Sequence, residues 1–452
     1  MTTWLRRAGF AAGVLSLSLA TTFVSADASA QARRRVANVD VDGDGLADVV
    51  VAENPWDGRG DRILVHRGAQ GGPRLTQTIT SLGAGTLSVQ GLYAIGDVNG
   101  DRRTDVLVVD PRGAARVLLG TARGLSDRPA VALVRPDGEI HGVTFAAAGD
   151  VDGDGFDDIA ALVACTPAVL EVYPPIVIDC RDPSRRHLHV WHGSAAGPAA
   201  APSSTISDPT SPDGTDGPLV PVGDLDGDGF ADVGRHRAGA FVVHRGSAAG
   251  LSRQPAARLL DRRRRPMHVQ SAASAGDVDG DGIDDLAVTV YDDVRSIAFL
   301  VHGDRGRVFG RVERLVLPRG AVLDGWIAAG DLDGSGRGDI ALSTFIDDAR
   351  RAVLVWRDGR ASAAPLVVRH PAPGLGSYGI VACPGDTDGD GVGDLVSGSP
   401  ISGTPLGGDM IGRVYVHRGS AAGPSALPTT TLEGGRGAHG DLGLFIAGPG
   451  SR

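Results

Sequence analysis

Short apolar runs recur along the chain, and each is bounded by glycine and aspartate. Residues 145–149 and 326–330 lead into an aspartate-rich stretch, and residues 105–109 lead out of another. Runs of four to six apolar residues between such turn residues predict β-strands that are buried on both faces.

A third run ends on glycine and repeats almost verbatim at 63–68, 241–246 and 414–419. A Gly-Ser-Ala-Ala-Gly turn follows at Gly193, Gly246 and Gly419, and a more polar fourth run such as 75–79 comes next. Four hairpin-connected strands in each repeat predict one blade of a β-propeller.

The aspartate-rich stretch between the first two strands is a nonapeptide that occurs seven times. Its copies begin at Asp40, Asp97, Asp150, Asp224, Asp277, Asp331 and Asp386, so the starts are 57, 53, 74, 53, 54 and 55 residues apart. Periods of this size indicate blades or solenoid units. The sequence therefore predicts an all-β, seven-bladed β-propeller of four-stranded antiparallel blades with Asp-rich calcium loops.

The chemistry of the nonapeptide favours Ca²⁺, because carboxylates or their substitutes recur at positions 1, 3, 5 and 9 of a glycine-bent loop. A hard cation of this kind takes six to eight oxygen ligands. An EF-hand is excluded, since it needs a glutamate at position 12 and flanking helices. Position 12 of the seven copies is Val51, Val108, Ala161, Arg235, Val288, Leu342 and Ser397.

Composition supports a folded chain whose acidity belongs to the loops. The 452 residues carry a formal charge of -10, and 67 of them are glycine, which suits many tight turns. Of the 54 acidic residues, 26 stand at positions 1, 3, 5 and 9 of the seven copies. The arginines are scattered and have no accompanying aromatic platform, so nucleic-acid binding is not expected.

The first 32 residues have the pattern of a cleaved signal peptide, with cleavage near Ala30 or Ala32. Arg6 and Arg7 precede an apolar stretch over 10–24 that is broken by serine and threonine, and it is shorter than the roughly 20 residues of a membrane span. We therefore expect residues 33–452 to form the propeller with no transmembrane span. The mature protein would be secreted, periplasmic or at the cell surface.

The repeats resemble the FG-GAP repeats of integrin α-subunit propellers and of secreted bacterial relatives. The seventh copy carries the resemblance best, with Tyr378-Gly379, Gly385-Asp386 and Gly398-Ser399-Pro400 placed around Asp388, Asp390 and Asp394. The resemblance implies one Ca²⁺ in each loop, on one face of the disc, held by the side chains at positions 1, 3, 5 and 9 and the carbonyl at position 7. The implied ligands are Asp40, Asp42, Asp44, Leu46 and Asp48; Asp97, Asn99, Asp101, Arg103 and Asp105; Asp150, Asp152, Asp154, Phe156 and Asp158; Asp224, Asp226, Asp228, Phe230 and Asp232; Asp277, Asp279, Asp281, Ile283 and Asp285; Asp331, Asp333, Ser335, Arg337 and Asp339; and Asp386, Asp388, Asp390, Val392 and Asp394.

Two copies depart from the pattern. Asn99 replaces an acid and Arg102 replaces the sixth-position glycine in the second copy, while Ser335 takes the fifth position of the sixth. Because ligand charge tunes calcium affinity, we expect up to seven sites, of which five are strong.

Other motifs have simpler explanations. His187 and His189 would lie on one strand face, but the alignment assigns this segment to a repeated third strand, which argues against a zinc site. The Arg-Gly-Asp tripeptides at 59–61 and 337–339 are coincidences expected of this composition. Cys165 and Cys180 flank an insertion that they are expected to bridge, and Cys383 is expected to be a packed small side chain.

We found no hydrolase elbow, zinc-protease helix or phosphate loop in the sequence, so a non-enzymatic module that binds a protein or glycan partner is the leading interpretation. An extracellular carbohydrate-active enzyme with its site in the propeller channel and a structural surface or matrix component are the alternatives. The enlarged loops 163–186 and 399–411 follow second strands, which places them on the face opposite the calcium loops. We expect a monomer whose C-terminal segment, 443–450, completes the first blade.

Overall fold

The computed structural model describes residues 39–54, 60–83, 87–134, 143–163, 168–170, 176–178, 187–207, 219–237, 239–291, 296–346, 350–369, 380–402, 411–434 and 441–447. These residues form 32 strands and one 3-10 turn, Arg357–Gly359. The strands are β1 Val49–Asn54, β2 Arg62–Arg67, β3 Arg74–Ile79, β4 Gly91–Gly96, β5 Asp105–Val109, β6 Ala115–Leu118, β7 Gly120–Thr121, β8 Gly124–Leu125, β9 Val131–Leu133, β10 Val143–Gly149, β11 Asp158–Val163, β12 Ala168–Leu170, β13 Ile176–Ile178, β14 His187–Trp191, β15 Ser204–Ser207, β16 Leu219–Gly223, β17 Asp232–Arg237, β18 Ala240–His244, β19 Ala257–Arg258, β20 Val269–Gly276, β21 Asp285–Tyr291, β22 Ser296–Val301, β23 Val312–Arg314, β24 Val322–Gly330, β25 Asp339–Ile346, β26 Arg350–Trp356, β27 Leu366–Arg369, β28 Ile380–Gly385, β29 Asp394–Ser402, β30 Ile411–His417, β31 Thr430–Glu433 and β32 Asp441–Ala447.

Seven four-stranded antiparallel sheets form the blades, which confirms the predicted propeller. In order from the inner strand outwards they are β32-β1-β2-β3, β4-β5-β6-β9, β10-β11-β14-β15, β16-β17-β18-β19, β20-β21-β22-β23, β24-β25-β26-β27 and β28-β29-β30-β31. We number them blades 1 to 7 in this order. The hairpins β7-β8 and β12-β13 stand outside the blades.

The C-terminal strand closes the ring, as the sequence predicted. β32 pairs antiparallel with β1, with Val50 opposite Ala447 and Ala52 opposite Phe445. Inner strands of successive blades contact one another around the circle, and β32 contacts both β28 and β4. The first and last blades are thereby joined through strands from opposite ends of the chain.

The hydrophobic core lies between blades, since each sheet is buried on both faces. Blades 2 and 3 show the packing, where Tyr93, Phe145 and Trp191 stack in sequence with ring centroids 6.5 Å and 6.4 Å apart. Burying large aromatic and branched side chains in this way supplies the main favourable free energy of folding.

The two enlarged loops leave the blades at the ends of second strands. The segment after β11 contains the hairpin β12-β13, whose residues Ala168 and Ile178 are paired. In blade 7, β29 and β30 extend to a pairing of Ser402 with Ile411. Each second strand begins at its aspartate-rich loop, so both extensions lie at the opposite face.

Two sequence predictions fall outside the described residues, namely the signal peptide over 1–32 and the pairing of Cys165 with Cys180. Cys383 is buried as a free thiol. Within the described part of the chain, no helix is long and apolar enough to cross a membrane.

Candidate metal-binding loops

The first aspartate of each nonapeptide folds its own loop. In blade 1, Asp40 Oδ1 accepts hydrogen bonds from the backbone N–H groups of Gly43 and Asp44 at 2.6 and 3.2 Å. Its Oδ2 accepts from the N–H of Gly45 at 2.8 Å. In all seven loops the first carboxylate accepts from the N–H groups of positions 5 and 6. The loop therefore wraps around one carboxylate.

The turn needs a left-handed backbone at position 6, where φ lies between +82° and +94° in the six glycine copies. In blade 2 the residue there is Arg102, with φ +68°. A non-glycine side chain in this region costs roughly 1 kcal/mol or more. The departure noticed in the sequence thus weakens the second loop in its backbone as well as in its ligands.

The aspartate at position 9 of each nonapeptide joins the loop to its blade. Asp48 is fully buried, its Oδ2 accepts from the N–H of Val41 at 2.8 Å, and its Oδ1 accepts from the N–H of Gly68, just after the third strand, at 2.9 Å. The same pair of hydrogen bonds recurs in the other six blades, at Asp105, Asp158, Asp232, Asp285, Asp339 and Asp394. This carboxylate joins the loop to the end of the third strand.

The close approach explains the glycine that ends the third strand. A Cβ on Gly68 would lie 2.6 Å from the carbonyl oxygen of Ala47, which is closer than any real Cβ contact. In blade 6 this place is taken by Asp358, whose φ is +48°. The left-handed backbone there turns the chain away from the loop carbonyl.

The residue before that glycine places a basic side chain beside the carboxylate at position 3 of the loop. Arg67 is paired with Asp42 in blade 1, and Arg418 lies 2.9 Å from Asp388 in blade 7. The remaining pairs are His192 with Asp152, Arg245 with Asp226, His302 with Asp279, and Arg357 with Asp333. In blade 2 the corresponding residues are Leu119 and Asn99, so both charges are missing together.

The seven loops are linked to one another in a ring. In every loop the N–H of position 8 donates to the carbonyl of position 1 in the preceding blade, at distances of 2.6 to 3.5 Å. Ala47 completes the circle by donating to Asp386 at 2.6 Å. Side chains at position 7 reinforce the links, as Phe230 does by lying against Gly153 of the preceding loop.

The carboxylates in the loops of blades 1, 3 and 4 converge closely enough to share a cation. One oxygen each from Asp40, Asp42 and Asp48 lie within 4.8 Å of one another, and the same holds for Asp224, Asp226 and Asp232. Burial, reinforced by repulsion from neighbouring aspartates, raises the pKa of Asp48 to about 7 and that of Asp232 to about 8, although backbone hydrogen bonds oppose the shift.

This donor set fits a divalent metal ion. Asp226 is only 3% exposed; Arg245 pairs with its Oδ2, while its Oδ1 is buried without a hydrogen-bond partner. The second oxygen is therefore still available to a metal ion. A bound divalent ion would neutralise the clustered charges and reverse their raised pKa values. Calcium, which takes only oxygen ligands, matches the aspartate-rich donors of most loops.

Other residues singled out in the sequence are engaged in ordinary contacts. His189 Nδ1 lies 2.9 Å from Thr205 Oγ1 across neighbouring strands. Arg337 lies against Gly280 of the preceding loop, and Asp339 is the ninth aspartate of its own loop. Asp61 accepts the N–H of Val89 at 2.5 Å.

Two histidines beside the aspartate-rich loops were not predicted from the sequence motifs. His192 and His302 occupy the place taken by arginine in blades 1, 4, 6 and 7, and each reaches an aspartate of its own loop. Aligning the residue before the third-strand glycine would have found both histidines.

Comparisons with known proteins support the repeat family. Residues 97–161 match the FG-GAP-like repeat family and residues 269–309 match the FG-GAP repeat family. The first match covers the aspartate-rich loops of blades 2 and 3 and the second covers that of blade 5, which confirms the resemblance seen in the sequence.

Curated relatives are integrin α-subunits. Integrin alpha pat-2 of Caenorhabditis elegans is 28% identical over 195 residues, which is 38% of this chain and 16% of the relative. Integrin alpha-PS5 of Drosophila melanogaster is 30% identical over 160 residues, covering 31% of this chain and 16% of the relative. The similarity therefore spans about a sixth of each integrin.

Among solved structures, the BP39L lectin of Burkholderia pseudomallei superposes with a TM-score of 0.51 at 15% identity. The superposition covers 91% of this chain and 99% of the lectin. At this identity the likeness shows the propeller fold alone.

Proposed function

We propose that this chain, a β-propeller with FG-GAP repeats that resembles the integrin α propeller, is a calcium-binding module that binds a protein partner outside the cell. The observation that carries the proposal is the convergence of carboxylates in loops that share one design, such as those around Asp48 and Asp232. The integrin relatives point in the same direction, because adhesion through protein contacts is a property of integrins.

Calcium has a structural role in this proposal. Each ion would bind the first, third, fifth and ninth side chains and the seventh carbonyl, as in Asp386, Asp388, Asp390, Val392 and Asp394 of blade 7. It would supply the positive charge that lets buried carboxylates stay ionised beside one another. The links between successive loops would then carry that stabilisation from blade to blade.

The partner surface is the face opposite the calcium loops. The hairpin β12-β13 and the extended β29-β30 pair both project there, on a scaffold held rigid by the blades. Binding residues concentrate on loops carried by a rigid scaffold. A protein or a glycan on a neighbouring cell or matrix would dock at this face, and a single chain is sufficient because it closes its own ring.

The calcium part is tested by counting ions. Equilibrium dialysis of the mature chain, followed by elemental analysis, should give at least five Ca²⁺ per chain, and Asp388→Asn should remove one. Asp127→Asn changes an aspartate outside the nonapeptides and serves as the matched control. Fewer than one calcium per chain would refute the assignment.

The binding part is tested by deleting residues 168–178 and measuring capture of extracellular proteins and arrayed glycans. The deletion should abolish capture while leaving the melting temperature unchanged. Capture that persists in the deletion variant would move the partner surface elsewhere. Loss of capture in the full chain on chelation, with the circular dichroism spectrum preserved, would instead place calcium in the recognition site.

A further inference from the structure

The loop of blade 5 differs from an all-oxygen calcium site in carrying a buried imidazole. His302 is 7% exposed, and its Nδ1 lies 3.1 Å from Asp279 Oδ2 and 3.4 Å from Asp285 Oδ1. This buried nitrogen lies between the two carboxylates and is in contact with both. We propose that His302, Asp279 and Asp285 form a site for a borderline transition-metal ion of the zinc type.

The spacing of the three atoms suits such an ion. Zinc binds histidine nitrogen and carboxylate oxygen at about 2.0–2.2 Å in a tetrahedral arrangement, which places neighbouring ligand atoms roughly 3.3 Å apart. The two nitrogen–oxygen separations lie close to this value, and all three ligand atoms lie within 4.8 Å of one another. The side chains therefore need little movement to enclose a metal ion.

The other nitrogen of His302 is oriented by a carboxylate. Nε2 lies 3.3 Å from Glu313 Oε1, and Arg311 in turn holds that carboxylate at 2.6 Å. Histidine ligands generally donate their second N–H to a carboxylate, which fixes the tautomer and strengthens the metal bond. Arg311 also lies 3.2 Å from Nε2 and can only donate a hydrogen bond. A metal at Nδ1 would therefore require Nε2–H to donate to Glu313, with Arg311 pairing with that carboxylate alone.

A cavity gives the cluster access to solvent. Its volume is about 300 Å³, and Asp279, His302, Arg311 and Glu313 line it together with Arg337 and Asp358 from the blade 6 side. A metal ion can reach Asp279 and His302 through this opening, with Asp285 buried behind them. A water molecule there can supply the fourth ligand of a tetrahedral site.

Comparison with other blades indicates why blade 5 would select a different metal. Arg418 in blade 7 pairs with Asp388 and Asp390 and offers no metal ligand. His192 in blade 3 lies 2.7 Å from Asp152 Oδ2, but its Nε2 is buried without a hydrogen-bond partner. Imidazole favours zinc, copper and nickel, whereas calcium takes oxygen, so blade 5 combines the nitrogen ligand with its supporting carboxylate.

The test is a calorimetric titration of the full mature chain with Zn²⁺, with and without saturating Ca²⁺, because Asp279 and Asp285 are also the proposed calcium ligands of this loop. His302→Arg reproduces the residue found in blades 1, 4, 6 and 7, so it should preserve the fold while abolishing the tightest zinc site. Glu313→Gln keeps the ligands and should weaken zinc binding by about tenfold. His268→Arg changes an exposed histidine and should leave zinc binding unchanged.

X-ray absorption at the zinc edge adds a structural readout, with imidazole scattering expected in the wild type and lost in His302→Arg. Unchanged zinc affinity in His302→Arg, with circular dichroism showing a folded protein, would overturn the proposal. If His302→Arg fails to fold, His302→Asn and Glu313→Gln provide the same comparison.

This inference rests on the proposal that the loops hold divalent cations, yet the two fail separately. Normal calcium counts without a His302-dependent zinc site would overturn the zinc assignment alone. Zinc bound through His302 in a chain that takes up no calcium would overturn the calcium assignment and support this one.

Discussion

Removing the aspartate at position 9 of the blade 4 loop tests whether this residue stabilises the fold independently of metal. Asp232 is fully buried, with Oδ1 accepting the N–H of Gly246 at 3.0 Å and Oδ2 that of Leu225 at 3.1 Å. In Asp232→Ala both buried donors lose their acceptor. Each unpaired donor costs about 1–3 kcal/mol, so the free energy of unfolding should fall by about 2–6 kcal/mol.

The fifth position of the same loop provides the matched control. Asp228 is exposed, and its Oδ1 accepts the N–H of Phe230 at 3.0 Å. Asp228→Ala removes a proposed calcium ligand but leaves the buried hydrogen bonds of Asp232 intact. It should therefore cost less than about 1 kcal/mol in chelator and more in calcium.

Both variants are measured by urea denaturation followed by circular dichroism, in chelator and in calcium. A pH of about 6 is chosen because burial raises the pKa of Asp232 to about 8, so without metal its carboxyl is mostly uncharged and its removal relieves little repulsion. Wild-type stability of Asp232→Ala in chelator would refute the fastening role. Equal losses for both variants in chelator would show that the loop contributes as a whole.

Four further outcomes are expected. Chelation should lower the melting temperature by more than ten degrees, since each site held at 100 times its Kd adds about 2.7 kcal/mol; an unchanged thermal melt would contradict the calcium proposal. In chelator, the free energy of unfolding should fall as pH rises from about 4 to 8. Burial raises the pKa of position 9 aspartates such as Asp105 to about 8, so the folded chain binds more protons than the unfolded one. Thermal melts at both ends of this range check the sign, and calcium should oppose the trend. Asn99→Asp should strengthen the calcium site of blade 2, which competition titration with a chelating dye measures against Asn99→Ser. Gly68→Ala should destabilise blade 1 by several kcal/mol, because the added methyl would lie 2.6 Å from the Ala47 carbonyl oxygen. A wild-type melting temperature in this variant would show that the strand end can move to make room.

The fold could be predicted because its determinants are local and repeated. A four-strand pattern such as that preceding and following Asp150 recurs seven times, and its first three strands are largely buried on both faces whereas the fourth is more polar. The closure by β32 was also predictable, since the C-terminal segment copies the inner-strand pattern of blade 7. For the blades and for the closing strand, the local sequence pattern and the burial of apolar side chains favour the same strand arrangement.

The different burial and hydrogen-bonding roles of the loop aspartates could not be predicted in the same way. Spacing treats Asp224, Asp226, Asp228 and Asp232 as equivalent ligands, but their burial differs from fully enclosed to exposed. The partners of Asp232 include Gly246, which is 14 residues away and just after the third strand. Such partners depend on how the hairpin folds back, which no local pattern records.

The links between loops extend this argument to the closure of the ring. The pairing of β1 with β32 joins strands from the two ends of the chain, but blade 1 also meets blade 7 through its loop. Ala47 donates to Asp386 at 2.6 Å and Ala69 donates to Thr387 at 3.0 Å. Cations in these loops would therefore stabilise the seam between first and last blades as well as each blade separately, because ordering either loop orders the hydrogen-bonding partner of the other. The aspartate-rich loops thus provide a second closure of the propeller, on the rim that carries the proposed calcium sites.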